Sequence, residues 1–403
     1  MTATTTMPPI NPVADGVLPS GIGEVIAYGA GRTGLIPLWV GEGDRPTPDF
    51  IGEAAARALR DGHTFYTDML GIPALRQEIA AYVGRLYGGS PEPDRFFVTV
   101  GGMQAFQIAL AIAAQPGDEI VIPTPIWPNF FGAIAAHGAK SVTVPIGFDP
   151  ASGWSLDVER LAAAVTPRTR ALVINSPANP TGWTASRDDL RALLTIARRH
   201  DLWIIADEIY GRFSFDPAHA DLGRAPSFRD VWEPDDHGRV LFVQTFSKNW
   251  AMTGWRLGWL EGPPALGRIV AGLVLYGTSG IATFLQHAAV TALREGEPLV
   301  RAQIAQAREG RRILCEGLGR LPGVALPPPA GAFYAFPQVA TEPDARRLAL
   351  RLVDEANVGV APGTAFGPGG EGFLRLCFAR SAADLQEAVH RLAPVLASPG
   401  ARP

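Results

Sequence analysis

The stretch Thr245-Phe246-Ser247-Lys248-Asn249-Trp250-Ala251-Met252-Thr253-Gly254-Trp255-Arg256 holds one of the two lysines, Lys140 and Lys248, among 35 lysines and arginines. Arginine can replace lysine in most surface roles but not as an amine nucleophile, because its guanidinium stays protonated. A lysine kept among hydroxyls, with Arg256 eight residues further on, predicts an amine that forms a Schiff base beside a bound phosphate. Pyridoxal phosphate requires this arrangement. Lys140, after Gly138, is expected in a polar loop.

Length and composition exclude several classes of protein. With 403 residues, the chain is predicted to form two packed lobes. It is 47% hydrophobic and 18% charged, which indicates a large buried area that includes a subunit interface. A net charge of −4 gives no basic surface for nucleic acid, and no apolar run reaches the roughly 18 residues of a membrane span. Cys315 and Cys377 alone form no disulfide framework, which fits the cytoplasm.

Apolar runs alternate with amphipathic helical segments through the middle of the chain. Such runs are typical of a sheet buried on both faces, so we predict an α/β fold with a mostly parallel, seven-stranded type of sheet between helices. Ligands of such sheets bind beyond the carboxyl ends of the strands. Gly102, Asn179, Asp207 and Lys248 all follow predicted strands. The runs are Phe96–Val100, Glu119–Ile122, Ala171–Asn175, Leu202–Ala206, Val240–Gln244 and Arg256–Leu260.

The pattern changes towards the C-terminus, where short strands and helices predict a smaller α+β domain completed by the N-terminal segment. A long helical segment, Ile281–Leu318, is expected to break near Gly296–Pro298 and to connect the lobes. The predicted divisions are a flexible tail at 1–17, an N-terminal segment packing on the small domain at 18–45, a large cofactor-binding domain at 46–290 and a small C-terminal domain at 291–403.

Asp207 and the segments around the strand ends fit the other needs of such a cofactor. A carboxylate at Asp207 would keep the pyridine nitrogen protonated, although an aspartate after a strand also caps helices. Gly102 and Met103 open a helix after a strand, where free N–H groups suit a phosphate, and an ordinary tight turn is the alternative. Thr245, Ser247 and Arg256 supply hydroxyls and a cation to the same anion, unless Arg256 forms a surface ion pair.

Three further side chains are candidates for contact with the cofactor ring. Asn179, within Ser176–Gly182, and Tyr210 have groups that can donate to the phenolic oxygen. Asn-Pro and Thr-Gly are also common in turns, so a purely structural role for this segment stays open. Trp127 follows a predicted strand end, where it would either stack on the ring or belong to the core.

Together these motifs resemble the class I/II aminotransferases of pyridoxal phosphate fold type I, the group that includes aspartate aminotransferase. The likeness covers nearly the whole chain from about Leu18 and keeps the family's order of motifs. No single motif is decisive, but their ordered conjunction is specific. The further matching segments are Gly41–Asp44, Tyr66 with Gly71 and Leu75-Arg76, Gly331–Tyr334, Pro362–Gly367 and Phe373–Leu376.

The resemblance implies a role for each candidate. Lys248 would hold the cofactor and move the proton, Asp207 would pair with the pyridine nitrogen, and Tyr210 with Asn179 would contact the phenolate. Arg375 would bind the substrate α-carboxylate, with Gly41 and Asn179 beside it. The phosphate would be held by Gly102, Met103, Thr245, Ser247, Arg256 and, from the partner subunit of a homodimer, Tyr66.

Departures from the family pattern bear on the substrate. Met103 stands where some acid-preferring members carry a lysine, which favours neutral or aromatic amino acids. Arg45 would either replace that cation or face solvent, and Gly43 stands where proline is usual.

We therefore predict a cytoplasmic, homodimeric aminotransferase that moves the amino group of an L-amino acid to a 2-oxo acid by a ping-pong mechanism. Two alternatives remain open: a C–S β-lyase on the same fold, and an effector-sensing regulator with an aminotransferase-like domain. The seven histidines show no ligand spacing for a metal hydrolase.

Overall fold

The computed structural model describes Pro8, residues 10–15, 21–232, Asp236 and residues 238–397. Of the expected tail at 1–17, residues 1–7, 9, 16 and 17 lie outside the described residues. Within the described part, the elements alternate as the pattern of apolar runs predicts.

The α-helices cover the faces of the main sheet and form much of the second lobe. They are α1 (Pro12–Asp15), α2 (Gly21–Gly29), α3 (Asp49–Arg60), α4 (Pro73–Tyr87), α5 (Gly101–Ala113), α6 (Asn129–Ala136), α7 (Val158–Ala163), α8 (Arg187–His200), α9 (Phe246–Asn249), α10 (Gly267–Thr278), α11 (Thr283–Glu295), α12 (Glu297–Leu318), α13 (Ala345–Glu355) and α14 (Ala382–Leu396).

The strands form one large sheet and several small ones. They are β1 (Ile36–Pro37), β2 (Phe96–Thr99), β3 (Glu119–Thr124), β4 (Lys140–Pro145), β5 (Gly147–Asp149), β6 (Gly153–Ser155), β7 (Thr169–Asn175), β8 (Trp203–Asp207), β9 (Val240–Thr245), β10 (Gly258–Glu261), β11 (Val324–Ala325), β12 (Tyr334–Ala335), β13 (Gln338–Val339), β14 (Val358–Gly359), β15 (Ala361–Pro362) and β16 (Leu374–Cys377).

The large sheet has seven strands in the order β2-β10-β9-β8-β7-β3-β4. The strands from β9 to β4 are parallel to one another, whereas β10 runs antiparallel to both of its neighbours. The residues of β2, β3 and β9 are all buried, since helices cover both faces. The predicted mostly parallel α/β sheet is confirmed, and its carboxyl ends lie along one edge where a ligand site is expected.

The expectation that Lys140 lies in a loop is wrong. Lys140 is exposed and begins β4, the strand at the edge of the large sheet, where it pairs with Glu119. Only Val144 in this strand is fully buried, so the strand lacks the continuous apolar run that marks its neighbours. A strand at the edge of a sheet buries less side-chain surface than a central strand, so it can form from a sequence in which polar and apolar residues alternate.

A second core lies in the lobe built from the two chain ends. Val25, Leu38 and Trp39 from the N-terminal segment pack in one cluster with residues of the C-terminal part such as Tyr334 and Leu374. Gly296 separates α11 from α12, which confirms the predicted helix break. The predicted boundary between residues 290 and 291 falls within α11 and stays a prediction. The following helix, α12, contributes Val300 to the core around the large sheet and Ala307 to the second core, so it belongs to both lobes.

A buried ion-pair network supports the strand that ends at Asp207. The neighbouring carboxylate of Glu208 accepts hydrogen bonds from the Ser227 hydroxyl (2.7 Å) and from a guanidinium N–H of Arg229 (3.3 Å). Arg229 also donates to Glu261 of β10. Because these charges are buried, each depends on its partner, and the network ties β8 to β10 across β9.

We expect Arg229→Met to destabilise the fold by about 3–5 kcal/mol, because Glu208 would lose its cation and Glu261 would keep only the longer pair with Arg95 (3.7 Å). Denaturant unfolding of the variant measures the change. The matched control is Arg191→Met, which removes the exposed pair with Asp188 and should cost at most about 1 kcal/mol. Equal effects of the two substitutions would contradict a stabilising role for the network.

Candidate active site

A cavity of about 500 Å³ lies at the carboxyl ends of the large sheet and extends to the second lobe. Its wall contains every predicted site residue except Tyr66. These residues are Gly41, Gly102, Met103, Trp127, Asn179, Asp207, Tyr210, Thr245, Ser247, Lys248, Arg256 and Arg375.

Lys248 enters the cavity from the short helix α9, which follows β9 directly. The Thr245 side chain caps this helix by accepting the N–H of Ser247 (3.1 Å), which fixes where the lysine leaves the backbone. The Nζ atom donates to the carbonyl of Gly41 (2.7 Å). Burial lowers the pKa of Lys248 to about 8, because the charged amine loses its hydration. A neutral amine is thereby accessible near neutral pH.

Asp207 is the last residue of β8 and is buried. Its carboxylate accepts the backbone N–H of Ile209 (3.2 Å). Burial raises the pKa of Asp207 to about 7, against a smaller opposing effect of that hydrogen bond. A carboxyl group in this environment is suited to pair with a cation of a ligand, such as a protonated ring nitrogen. The nearby positive charge would favour the ionised form of Asp207.

An anion site is formed where α5 begins. Gly101 has a positive φ of 71°, and a Cβ atom there would lie 2.5 Å from the guanidinium of Arg256. Glycine is therefore required both by the backbone conformation and by the close approach of the arginine. The hydroxyl of Thr245 at the end of β9 and that of Ser247 in α9 are 2.9 Å apart. Free N–H groups at the start of a 13-residue helix, two hydroxyls and a guanidinium together suit a phosphate.

Arg375 lies in β16 and is 2% exposed. It donates from Nη1 to the side-chain oxygen of Asn179 (3.2 Å) and from Nη2 to the carbonyl of Trp39. Its Nε atom is buried and has no hydrogen-bond partner among the described residues. Since a buried donor is costly to leave unpaired, this guanidinium fits a ligand that accepts hydrogen bonds, such as a carboxylate.

Tyr210 forms a hydrogen bond with a second tyrosine of the cavity wall. Its hydroxyl is 2.7 Å from the hydroxyl of Tyr334. Burial raises the pKa of both phenols, so both remain neutral donors. Tyr334 was not among the predicted site residues. The segment Gly331–Tyr334 is one of those that carry the family resemblance, but the contact of Tyr334 with Tyr210 is made between two lobes and has no local sequence pattern.

Other wall residues were also missed from sequence. Asn175 accepts the backbone N–H of Asn179 (2.8 Å) and so orients the turn that carries it. Glu42 accepts the hydroxyl of Thr253 (2.8 Å), whose carbonyl in turn accepts from Arg256 (2.7 Å). The other missed wall residues are Ile22, Gly23, Ile26, Trp39, Val40, Asn129, Phe130, Ile209 and Val243.

Tyr66 lies apart from the cavity wall of its own chain and is 88% exposed. Phe65 and Tyr276 are exposed to a similar degree. Arg45 lines an adjoining cleft with Asp44 and Arg380, and it shares a second, smaller pocket with Ser247 and Lys248. A role for Arg45 as a cation in place of a lysine at 103 stays a prediction.

Among the described residues, no group of three or more metal-ligating side chains lies close enough together to share an ion. None of the described helices combines the length and the hydropathy of a membrane span.

Comparison with known proteins gives the family. Residues 33–392 match the model of the family "Aminotransferase class I and II". The chain belongs to this family. An aspartate aminotransferase of Pyrococcus abyssi is 35% identical over 387 residues, which cover 95% of this chain and 97% of the relative. Aromatic-amino-acid aminotransferase 2 of Thermococcus litoralis is 35% identical over 384 residues, with 94% and 96% covered.

A solved structure of the same family confirms the fold. The aspartate aminotransferase of Thermus thermophilus with maleate superposes with a TM-score of 0.88 at 35% identity, covering 96% of this chain and 100% of that one. The predicted resemblance is confirmed, and the chain is an aminotransferase, a transferase of amino groups. None of these names supports the alternatives of a β-lyase or a regulator.

We expect Lys248 to react with amine reagents with a half-maximal rate near pH 8, because burial lowers the pKa of this lysine to about that value. The rate should rise with pH, since only the neutral amine reacts. Acylation of cofactor-free protein, followed by peptide mapping, measures the profile of this side chain.

The same lysine in the denatured chain is the control, and there the midpoint should move to about 10.4. A midpoint near that value in the folded protein as well would contradict a desolvated amine.

Proposed function

We propose that this aminotransferase uses pyridoxal phosphate and moves the amino group of a neutral or aromatic L-amino acid to a 2-oxo acid by a ping-pong mechanism. One observation carries the proposal: Lys248 and Asp207 face the same cavity as the anion site at the start of α5. An aldehyde, a pyridine nitrogen and a phosphate require these three features together.

The roles of the side chains follow from their positions. Lys248 would hold the cofactor through its amine and, once replaced there by the substrate, move the proton at the substrate Cα. Its lowered pKa suits a base near neutral pH. Bound pyridoxal phosphate supplies an electron-accepting ring, and Asp207 would keep its nitrogen protonated. Asn179 and Tyr210 would contact the phenolic oxygen, and Trp127 would cover the ring face.

The phosphate would lie against Gly102, Met103, Thr245, Ser247 and Arg256. The substrate α-carboxylate would bind Arg375, beside Gly41 and Asn179. The buried Nε atom of Arg375 and its fixed Nη groups support this assignment, because arginine binds carboxylates through two parallel N–H groups. Both anions would then be bound in the same cavity.

The relatives are named for different substrates, among them aspartate, aromatic amino acids and, in Pseudomonas aeruginosa, arginine with pyruvate. The family therefore does not select a donor for this chain. Met103 in the cavity wall supports a neutral or aromatic donor, since a thioether does not attract a second carboxylate.

We further propose a cytoplasmic homodimer in which each active site receives Tyr66 from the partner subunit. Exposed aromatic side chains at Phe65, Tyr66 and Tyr276 support an interface on this side of the molecule. Cys315 and Cys377 are both free, which is compatible with a reducing compartment.

The test of the cofactor assignment is the Lys248→Ala protein. We expect it to lose the adduct that borohydride traps and to slow amino transfer at least about a hundredfold, since the base is removed. Mass mapping of the reduced protein and single-turnover absorbance with amino acids measure both. Lys140→Ala is the matched control and should keep both properties. A trapped adduct at Lys140 would refute the assignment of Lys248.

The shared site is tested with mixed dimers. Co-expression of a Lys248→Ala chain with a Tyr66→Ala chain should restore one intact site in each mixed dimer, because both substitutions then fall in the same second site. Activity per dimer should exceed that of both parent homodimers. Sedimentation gives the oligomeric state. A monomer, or mixed dimers no more active than the parents, would refute the shared site and leave the role of Lys248 intact.

A further inference from the structure

Lys248 belongs to the walls of two cavities. One is the main cavity of about 500 Å³, and the other is the smaller pocket of about 30 Å³, here termed the side chamber. A single water molecule needs about 10–15 Å³ of such space, so the side chamber has room for about two water molecules. It is too small for an amino acid. The lysine therefore separates a space that can hold a substrate from a space that can hold only water.

The wall of the side chamber offers hydrogen-bonding groups at fixed positions. Gln303 donates from Nε2 to the carbonyl of Asn249 (2.7 Å), and Gln306 donates from Nε2 to the carboxylate of Asp44 (2.9 Å). Water in a buried space needs such polar partners. The polar residues of this wall are Glu42, Asp44, Arg45, Ser247, Lys248, Thr253, Gln303 and Gln306.

The side chamber also adjoins the surface of the protein. Asp44 and Arg45 line both the side chamber and the open cleft that contains Arg380, and both are exposed. Gly43, between these residues and the cavity, lines the same two spaces. The side chamber therefore lies between Lys248 and solvent, and neither Asp44 nor Arg45 belongs to the wall of the main cavity.

Glu42 is the ionisable group that connects the surroundings of Lys248 with the side chamber. Burial lowers the pKa of Lys248, whereas the charges of Cys377, Glu42 and Asp207 favour its ammonium form. The charge of Arg375 opposes that form. Of these four groups, only Glu42 lines the side chamber, and it lines the main cavity as well. Its carboxylate is held by the hydroxyl of Thr253 (2.8 Å).

We propose that the side chamber is a proton route, in which water and the Glu42 carboxylate exchange the proton of Lys248 with solvent separately from the main cavity. After Lys248 has taken the proton from the substrate Cα, its ammonium group gives a proton through water to Glu42. Glu42 passes that proton to water beside Asp44. A proton from solvent returns by the same path, so no net charge is left behind. This inference rests on the proposed amino transfer and deepens it, because it assigns the proton exchange of the base.

Isotope exchange in the holoenzyme tests the route. The donor is whichever of L-alanine, L-phenylalanine and L-aspartate the wild-type enzyme converts fastest, and the solvent is deuterium oxide. The measured quantity is the exchange ratio, which is the deuterium at Cα of the recovered donor divided by the 2-oxo acid formed. We expect Glu42→Gln to lower the exchange ratio at least about tenfold, because an amide does not take up the proton.

Two further variants control for the change at Glu42. Glu42→Asp keeps a carboxylate and should retain most of the exchange. Glu53→Gln removes an exposed carboxylate of α3 and should leave the exchange ratio unchanged.

A second substitution fills the side chamber without altering Glu42. A Cβ atom at Gly43 would make only ordinary contact, 3.7 Å from the carbonyl oxygen of Ala379, so a side chain can be placed there. Gly43→Leu should lower the exchange ratio at least about fivefold and change the rate of amino transfer less than about twofold, since water alone is displaced. The matched control is Gly52→Leu in α3, where a Cβ atom would meet nothing within 4 Å. It should change neither quantity.

The reactivity of Lys248 gives a readout that does not depend on turnover. In the cofactor-free, full-length Glu42→Gln protein, acylation of Lys248 should reach its half-maximal rate below the wild-type pH of about 8. The shift is downwards because the lost carboxylate favours the ammonium form. A Glu42 that only holds Thr253 in place would leave this midpoint unchanged.

An exchange ratio that stays at the wild-type value in both Glu42→Gln and Gly43→Leu would overturn the route, since the proton would then exchange through the main cavity. A loss in Glu42→Gln alone would also overturn it, because the side chamber would play no part. The same holds for a wild-type enzyme that transfers the amino group without any exchange, and that result would leave the proposed amino transfer intact. Failure of all three donors in the wild-type enzyme would instead refute the proposed function.

Discussion

The geometry of the site depends on the hydrogen bonds that the buried guanidinium of Arg375 donates. It belongs to a strand of the second lobe, yet its donors reach Asn179 in the large lobe and the carbonyl of Trp39 in the N-terminal segment. It also lies 4.7 Å from the ring centre of Tyr334, which pairs with Tyr210. A buried cation must be surrounded by acceptors, so three distant segments are held at fixed positions around the cavity.

A second set of contacts joins the N-terminal segment to the cofactor side. Lys248 donates to Gly41, and the next residue, Glu42, accepts from Thr253. Thr253 in turn accepts from Arg256 at the anion site. The N-terminal segment is therefore connected by hydrogen bonds to the groups proposed to hold the cofactor.

The part of the site on the large lobe was predictable from the sequence for a physical reason. Continuous apolar runs mark strands buried on both faces, and Asp207 and Lys248 follow such runs directly. The edge strand that begins at Lys140 was missed because it is only half buried. The antiparallel direction of β10 has no sequence signature either, because a run of buried apolar residues is the same in a parallel and in an antiparallel strand. Tyr334, Glu42 and Ile26 reach the cavity only through the packing of the lobes, which no local pattern encodes.

The position of Lys140 has a practical consequence for handling the protein. It is exposed at the start of an edge strand, whereas the cavity lies beyond the opposite, carboxyl ends of the parallel strands. Lys248 is enclosed in the cavity wall, and the chain has only these two lysines. An amine-reactive support would therefore attach this enzyme through Lys140 or the N-terminal amine. Attachment through Lys140 would leave the mouth of the active site turned away from the support.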